Sequence, residues 1–301
     1  MATTPNHPQH VDETLVAIDA ELEQLASGAT WSEGPLWIPD ARVVRWSDIP
    51  GDRILEWDAA TGEQRVHRTG VEFTNGRALL ADGAVVQCSH GRRALEVERA
   101  GAVETLVDHH GFAQLNSPND VLVHDDGSIW FTDPPYGIVQ PHEGHPGEQE
   151  YGGCAVFRLH EGVLAVMTLD ILRPNGIACS PDGRTLYVTD TSAALDDGPE
   201  HCIWAFAIVG DGADVALRDR RVLAEIVPGV PDGIAVDVAG RIWSSAGDGV
   251  HVLAPDGTEL LRIPVPEVVG NVCFGGDDGD ELFIAATTSL YRIRTTTRGL
   301  R

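Results

Sequence analysis

Six polar residues recur in one register along the 301-residue chain: Glu33, Asn75, Asn119, Asn175, Asp232 and Asn271. Each opens a short apolar run, and the gaps between them are 42, 44, 56, 57 and 39 residues. All six are carboxylates or carboxamides. Brought together they form an all-oxygen environment of the kind that hard divalent cations such as calcium, magnesium or manganese take as ligands. Glu33, Asn175 and Asp232 are the candidate ligands. Asn-Gly and Asp-Gly pairs are also hairpin-turn chemistry, which suits Asn75 taken alone. That reading does not suit Glu33, and it does not explain one register held through six units. Calcium is the first choice of ion, and zinc, manganese, magnesium and iron stay open, because oxygen-rich sites accept several metals.

The elements that must position these residues are short strands. Each period reads as an opening strand, a tight P-D-G, D-D-G or A-G turn, and a second strand ending in small polar residues at 43–48, 85–90, 129–133, 186–190, 242–245 and 282–287. Third strands follow at 54–57, 95–97, 156–159, 203–207, 250–253 and 290–294. Four short strands per period of about 40 to 50 residues is the pattern of a propeller blade. The expected fold is all-β: a six-bladed β-propeller with four-stranded antiparallel blades. The sixth blade has three strands before the chain stops. An N-terminal run at 20–26 is therefore expected to close it, since an open edge invites aggregation. Residues 12–26 are the one stretch with ambiguous helical spacing. The organisation expected is a flexible N-terminus at 1–14 and a single propeller domain at 15–301, with rim inserts at 137–152 and 193–200.

In an up-and-down blade the first strand lines the axis, so its opening residue lies at one end of the central channel. The second strand returns to that end, which places Asp48, His90, Asp133 and Asp190 around the same mouth. His90 is there either a second base or hydroxyl contact, or a solvated turn histidine.

Composition narrows the chemistry. The net charge is −25, from 21 Lys+Arg against 46 Asp+Glu, and every one of those cations is arginine. Without lysine there is no Schiff base, P-loop or kinase strand lysine. The acidity argues against nucleic acid or an anionic membrane as partner. No apolar run is long enough to span a bilayer, and the polar, His-rich start is not a secretory signal. Five scattered cysteines without C-x-x-C read as reduced core thiols of a cytoplasmic protein. No G-x-S-x-G elbow is present, and His142-Glu143-Gly144-His145 has the wrong spacing for a helical zinc site.

S-E-G-P-L-W (32–37), N-S-P-N-D-V (116–121), W-F-T-D-P-P-Y-G (130–137), R-P-N-G-I-A-C-S-P-D-G (173–183), P-D-G-I-A-V-D (231–237) and N-V-C-F-G-G (271–276) closely resemble the SMP-30/gluconolactonase/regucalcin family. The resemblance runs over residues 20–295. It implies a propeller that hydrolyses sugar lactones with one divalent metal in its channel. The family's metal ligands carry over onto Glu33, Asn175 and Asp232, its acid/base residue onto Asp232, and its substrate- or metal-contacting Asn onto Asn119. The N-S-P-N-D form, with Ser117 where animal regucalcins place a substrate-binding arginine, resembles the bacterial gluconolactonase branch. The T-D-P-P-Y-G run suggests Asp133 and Tyr136 at the rim of the site. A non-catalytic calcium-binding or scaffold propeller, and a metal-dependent esterase or phosphotriesterase of the same fold, are the competing readings.

Overall fold

The computed structural model describes residues 12–195 and 200–300. Most of the expected flexible stretch 1–14, up to residue 11, and part of the 193–200 insert lie outside the described residues. A 3-10 turn at Glu13–Leu15 leads into strand β1 (Glu23–Ser27), so the ambiguous stretch ends extended, as its last residues suggested. Blade 1 is β2 (Ser32–Ile38), β3 (Val43–Asp48), β4 (Arg53–Asp58) and β5 (Gln64–Thr69); blade 2 is β6 (Thr74–Leu79), β7 (Val85–Ser89), β8 (Ala94–Arg99) and β9 (Ala102–Val107). A two-residue ladder, β10 (His109–His110) with β11 (Ala113–Gln114), precedes blade 3: β12 (Val121–Val123), β13 (Ile129–Asp133), β14 (Ala155–His160) and β15 (Val163–Thr168). Blade 4 is β16 (Pro174–Cys179), β17 (Thr185–Asp190), β18 (Cys202–Val209) and β19 (Ala216–Glu225). Blade 5 is β20 (Ile234–Val236), β21 (Ile242–Ala246), β22 (Gly249–Leu253) and β23 (Glu259–Pro264).

Blade 6 has β24 (Val269–Gly275), β25 (Glu281–Ala286) and β26 (Ser289–Arg294) from the C-terminal end, and β1 as its outer strand, Glu23 lying opposite Arg292. The N-terminal segment thus closes the ring, as expected. The innermost strands β2, β6, β12, β16, β20 and β24 touch one another in a closed circle.

Blades pack through alternating apolar positions that face neighbours on both sides. Trp46, Trp130 and Trp243 are fully buried there, and Trp37 stacks on Phe283 between blades 1 and 6 at 5.8 Å. Among the described residues no helix is long and apolar enough to cross a membrane, and all five cysteines are free.

The Asn-Gly openings lie inside strands, not in hairpin turns: Asn75-Gly76 within β6 and Asn175-Gly176 within β16. The inner ladders slip register between Glu33 and Leu36, Thr74 and Arg77, Pro174 and Ile177, and Val269 and Asn271. A β-bulge re-aims the side chain it carries. The turn reading left open by the sequence therefore gives way to a bulge repeated in four blades, which faces the opening residue to the axis.

Candidate active site

Four of the opening residues, Asn75, Asn119, Asn175 and Asp232, are held by the blade before them. The glycine after Asn175 shares its N–H between Thr189 Oγ1 (2.7 Å) and Asp232 O (3.2 Å), and the Thr189 hydroxyl donates to Asp232 O at 2.8 Å. The same device recurs around the ring. Ser47 Oγ donates to Asn75 O at 3.0 Å, Thr132 Oγ1 to Asn175 O at 2.6 Å, and Gly76 N to Asn119 O at 2.9 Å. There is no room for a side chain at these glycines. A Cβ at Gly34 would stand 2.4 Å from Asn75 O, one at Gly176 2.2 Å from Asp232 O, and one at Gly270 2.4 Å from Glu33 Oε1.

The side chains so placed form a continuous polar chain. Asn75 Nδ2 donates to Asn119 Oδ1 at 2.6 Å, Asn119 Nδ2 donates to Asn175 Oδ1, and Asn175 hydrogen-bonds Asp232. On the other flank Asn271 hydrogen-bonds both Glu33 and Asp120, and the Gly34 N–H donates to Glu33 Oε2 at 3.1 Å. Glu33, Asn75, Asn119, Asn175 and Asp232 line one cavity of about 320 Å³ at the mouth of the channel. Asn271 is turned inward, and lines a cavity of about 770 Å³ at the opposite end.

Burial pushes the Glu33 carboxyl up to about 8, with the charge of Asp120 adding to it. Asp232 is driven well above the carboxylate range by burial and then by the charges of Glu33, Glu143 and Asp120. Asp120 is raised to about 6 by burial. Among the described residues neither Glu33 nor Asp232 has an ion-pair partner within 4 Å, and no three His, Cys, Asp or Glu side chains converge as a metal set. The acidic pair is completed instead by the carboxamide of Asn175. Two uncompensated carboxylates and a neutral oxygen donor suit a divalent cation, since buried carboxylates without a counterion are costly.

One cation does enter the inner ring. Arg77, two residues after Asn75, is buried, donates to Gly34 O (2.9 Å) and Ser47 Oγ (2.6 Å), and is lowered by burial to about 10. It faces the far cavity, whose other walls include Val121, Ile177, Ile234 and Phe274, and it pairs with neither acid of the mouth.

The second-strand ends divide by parity. Asp48, Asp133 and Asp190 turn back into their own blades, where each takes backbone N–H groups: Thr30 and Trp31, Asn116 and Ser117, Leu172 and Arg173. Asp133, raised to about 7 by burial, also accepts from Tyr151 OH. Ser117 donates to Pro134 O at 2.6 Å and accepts from Gly137 N at 3.0 Å. Ser117 and Asp133 therefore shape the loop that carries Tyr136, and neither lines the mouth cavity. The following position has the opposite parity. Ile49, Thr191 and Gly247 occupy it and do line the cavity, as does Tyr136, whose hydroxyl bonds Thr191 and whose pKa burial raises. In blade 2 that position is His90.

His90 is no solvated turn residue. It is 1% exposed, with Nε2 at 3.1 Å from Asn119 Oδ1 and 3.4 Å from Asn75 Nδ2, and burial lowers it to about 4. It stands behind the ring and does not line the cavity. Sequence reasoning missed other residues that do: Trp31 faces the mouth, and so does Glu143 from the 137–152 insert, raised to about 7 by burial.

Residues 31–288 match the family described as SMP-30/Gluconolactonase/LRE-like region. A gluconolactonase of Zymomonas mobilis is 32% identical over an alignment covering 95% of this chain and 85% of its own. A pentonolactonase of Haloferax volcanii is 30% identical, with 84% and 80% covered. The solved structure of a gluconolactonase from Xanthomonas campestris superposes with a TM-score of 0.88 at 40% identity, covering 96% of this chain and 93% of that one.

Proposed function

The chain belongs to the SMP-30/Gluconolactonase/LRE-like family, and from that premise we propose that it is a lactonase that opens sugar lactones such as gluconolactone with the help of one divalent cation, calcium first, held by Glu33, Asn175 and Asp232. The observation that carries the reading is the convergence of the buried Glu33 and the part-buried Asp232, neither of them ion-paired, with three carboxamides on one small open cavity. A scaffold propeller has no use for that expense.

Opening a lactone needs a polarised carbonyl, an activated water and a proton for the departing ring oxygen. A divalent cation held by Glu33, Asn175 and Asp232 would supply Lewis acidity and a lowered pKa for water near it. Asp232, raised well above the ordinary carboxylate value by burial and by its acidic neighbours, is the group whose carboxyl takes the proton from water and returns it to the leaving oxygen. Asn119, tied on one side to Asn75 and on the other to Asn175, is a rigid substrate contact. Tyr136 stays a neutral phenol and offers a further contact at the rim. Asp232 being fixed through its backbone by Thr189 and Gly176 keeps its carboxyl in place during that exchange.

The five free thiols agree with a reducing, cytoplasmic setting. The test is hydrolysis of glucono-1,5-lactone with and without chelator: a cation-dependent rate above the spontaneous one is expected. A rate indifferent to chelator across several aldonolactones, or turnover only of aryl esters or phosphotriesters, overturns the reading.

A further inference from the structure

The insert between β13 and β14 comes from blade 3 but is fastened to blade 2. His90 Nδ1 lies 3.1 Å from Glu143 O and donates to it in the tautomer that carries the proton on Nδ1. His145 Nε2 meets Glu72 Oε2 at 2.8 Å, and Arg93 donates to Glu148 O at 3.0 Å. The base of the insert is packed solid. A Cβ at Gly137 would stand 2.6 Å from His90 Cβ and 2.9 Å from Ser117 Cβ, and one at Gly144 2.1 Å from Gly137 O. The segment is therefore a fixed wall over the mouth.

That wall presents one carboxyl to the cavity, that of Glu143. Its side chain is 15% exposed, and the exposed ring of His142 lies 3.6 Å from it. Among the described residues it receives no hydrogen bond to its carboxyl. The other polar walls are the ring carboxylates and carboxamides with Trp31, Tyr136, Gln140 and Thr191; the Asn75 and Asn119 amides donate within the ring, and the Tyr136 and Thr191 hydroxyls bond each other. An acceptor withdrawn from water with no donor is costly until a donor arrives. The molecules that bring donors into this cavity are polyhydroxylated.

We infer that Glu143 is a specificity residue of the lactonase, accepting hydrogen bonds from the ring hydroxyls of the sugar lactone, and that His90 is the positioning residue that holds it there through the Glu143 carbonyl. The inference rests on the lactonase reading and adds how a hydroxylated lactone is told from a plain one. Burial keeps the His90 ring neutral, so the latch does not loosen across the working pH range.

The test compares kcat/KM for glucono-1,5-lactone with that for δ-valerolactone, which has the same ring and no hydroxyls. In Glu143→Leu the ratio of the two falls by about 10- to 100-fold, mainly through the KM for gluconolactone, as expected for hydrogen bonds to a charged acceptor. Glu143→Gln, which keeps an acceptor oxygen, loses less. His90→Phe lowers the ratio in the same direction, and adding it to Glu143→Leu lowers it no further, because the two act as a unit. Calcium affinity measured by calorimetry stays within tenfold of wild type in Glu143→Leu. A ratio unchanged in Glu143→Leu, or equal losses on both lactones, overturns the inference. So does a loss of calcium affinity beyond tenfold, which would put Glu143 on the cation. A wild-type protein that opens neither lactone overturns the functional reading itself.

Discussion

Gly176 is the space into which Asp232 fits: its N–H lies 3.2 Å from the Asp232 carbonyl oxygen, and a Cβ on it would stand 2.2 Å from that atom. Substituting this glycine therefore moves the acid of the neighbouring blade. Gly176→Ala is expected to destabilise the protein by about 1–3 kcal/mol, the usual cost of overpacking, and to depress lactone turnover. Gly153→Ala, whose Cβ would find its nearest atom at 3.6 Å, is the control and stays near wild type. Thermal unfolding and initial rates check both.

Thr189 supplies the other half of the same clamp. Thr189→Val removes the donor to Asp232 O and the acceptor for Gly176 N, at a cost of about 1–3 kcal/mol for groups left unsatisfied. Thr189→Ser keeps the hydroxyl and should keep most of the stability and kcat. Equal behaviour of the two variants would show that the hydroxyl does not hold Asp232.

Cation-free protein should lose stability as pH rises from about 4.5 to about 8. Glu33 has a folded pKa of about 8 against an ordinary 4.5, so within that window the folded state binds more protons than the unfolded one. Stability then falls with rising pH, and Asp232 is shifted in the same direction. Saturating calcium should offset the fall, most strongly at the alkaline end, because the ion competes with those protons. Melting temperatures measured from pH 5 to 8.5 with calcium and with chelator read this out; parallel curves would contradict it.

Asp232→Asn separates stability from chemistry. Removing a carboxylate pressed against Glu33 and Asp120 should raise the melting temperature of cation-free protein at pH 8. Turnover should fall by about 10²–10⁴-fold, the range for a lost general acid/base. Retained activity would remove Asp232 from its proposed role and leave the lactonase reading standing.

Much of this was legible in the chain, because it repeats. β3 and β13 begin and end where the alternation of apolar residues puts them, at 43–48 and 129–133. The six openings were readable because a closed ring imposes one register on every blade. What escaped was parity and long-range docking. Asp48, Asp133 and Asp190 carry the right chemistry one residue short of the cavity-facing position. A strand's period of two makes that single step decisive. Glu143 escaped because its place depends on an insert of blade 3 anchoring to His90 and Glu72 of blade 2, contacts that no local pattern encodes. Arg77 escaped because a charged residue on a strand reads as solvated, whereas Gly34 O and Ser47 Oγ of the neighbouring blade hold it.

The pairing of β1 with β26 sets a timetable for the molecule as it is made. Glu23 and its partner Arg292 are separated by nearly the whole chain, and at about 5–20 residues per second the ribosome takes roughly 15–50 s to travel between them. Blades 1 to 5 can each form their hairpins as they emerge, but Glu33 cannot meet Asn271, nor Asp232 face Glu33, until the sixth blade is out. The mutual repulsion of the mouth carboxylates is therefore absent during most of synthesis and arises when the circle closes. The nascent chain meanwhile carries β1 as an unpaired edge, and the emergence of β26 is what first lets the protein become both sealed and able to work.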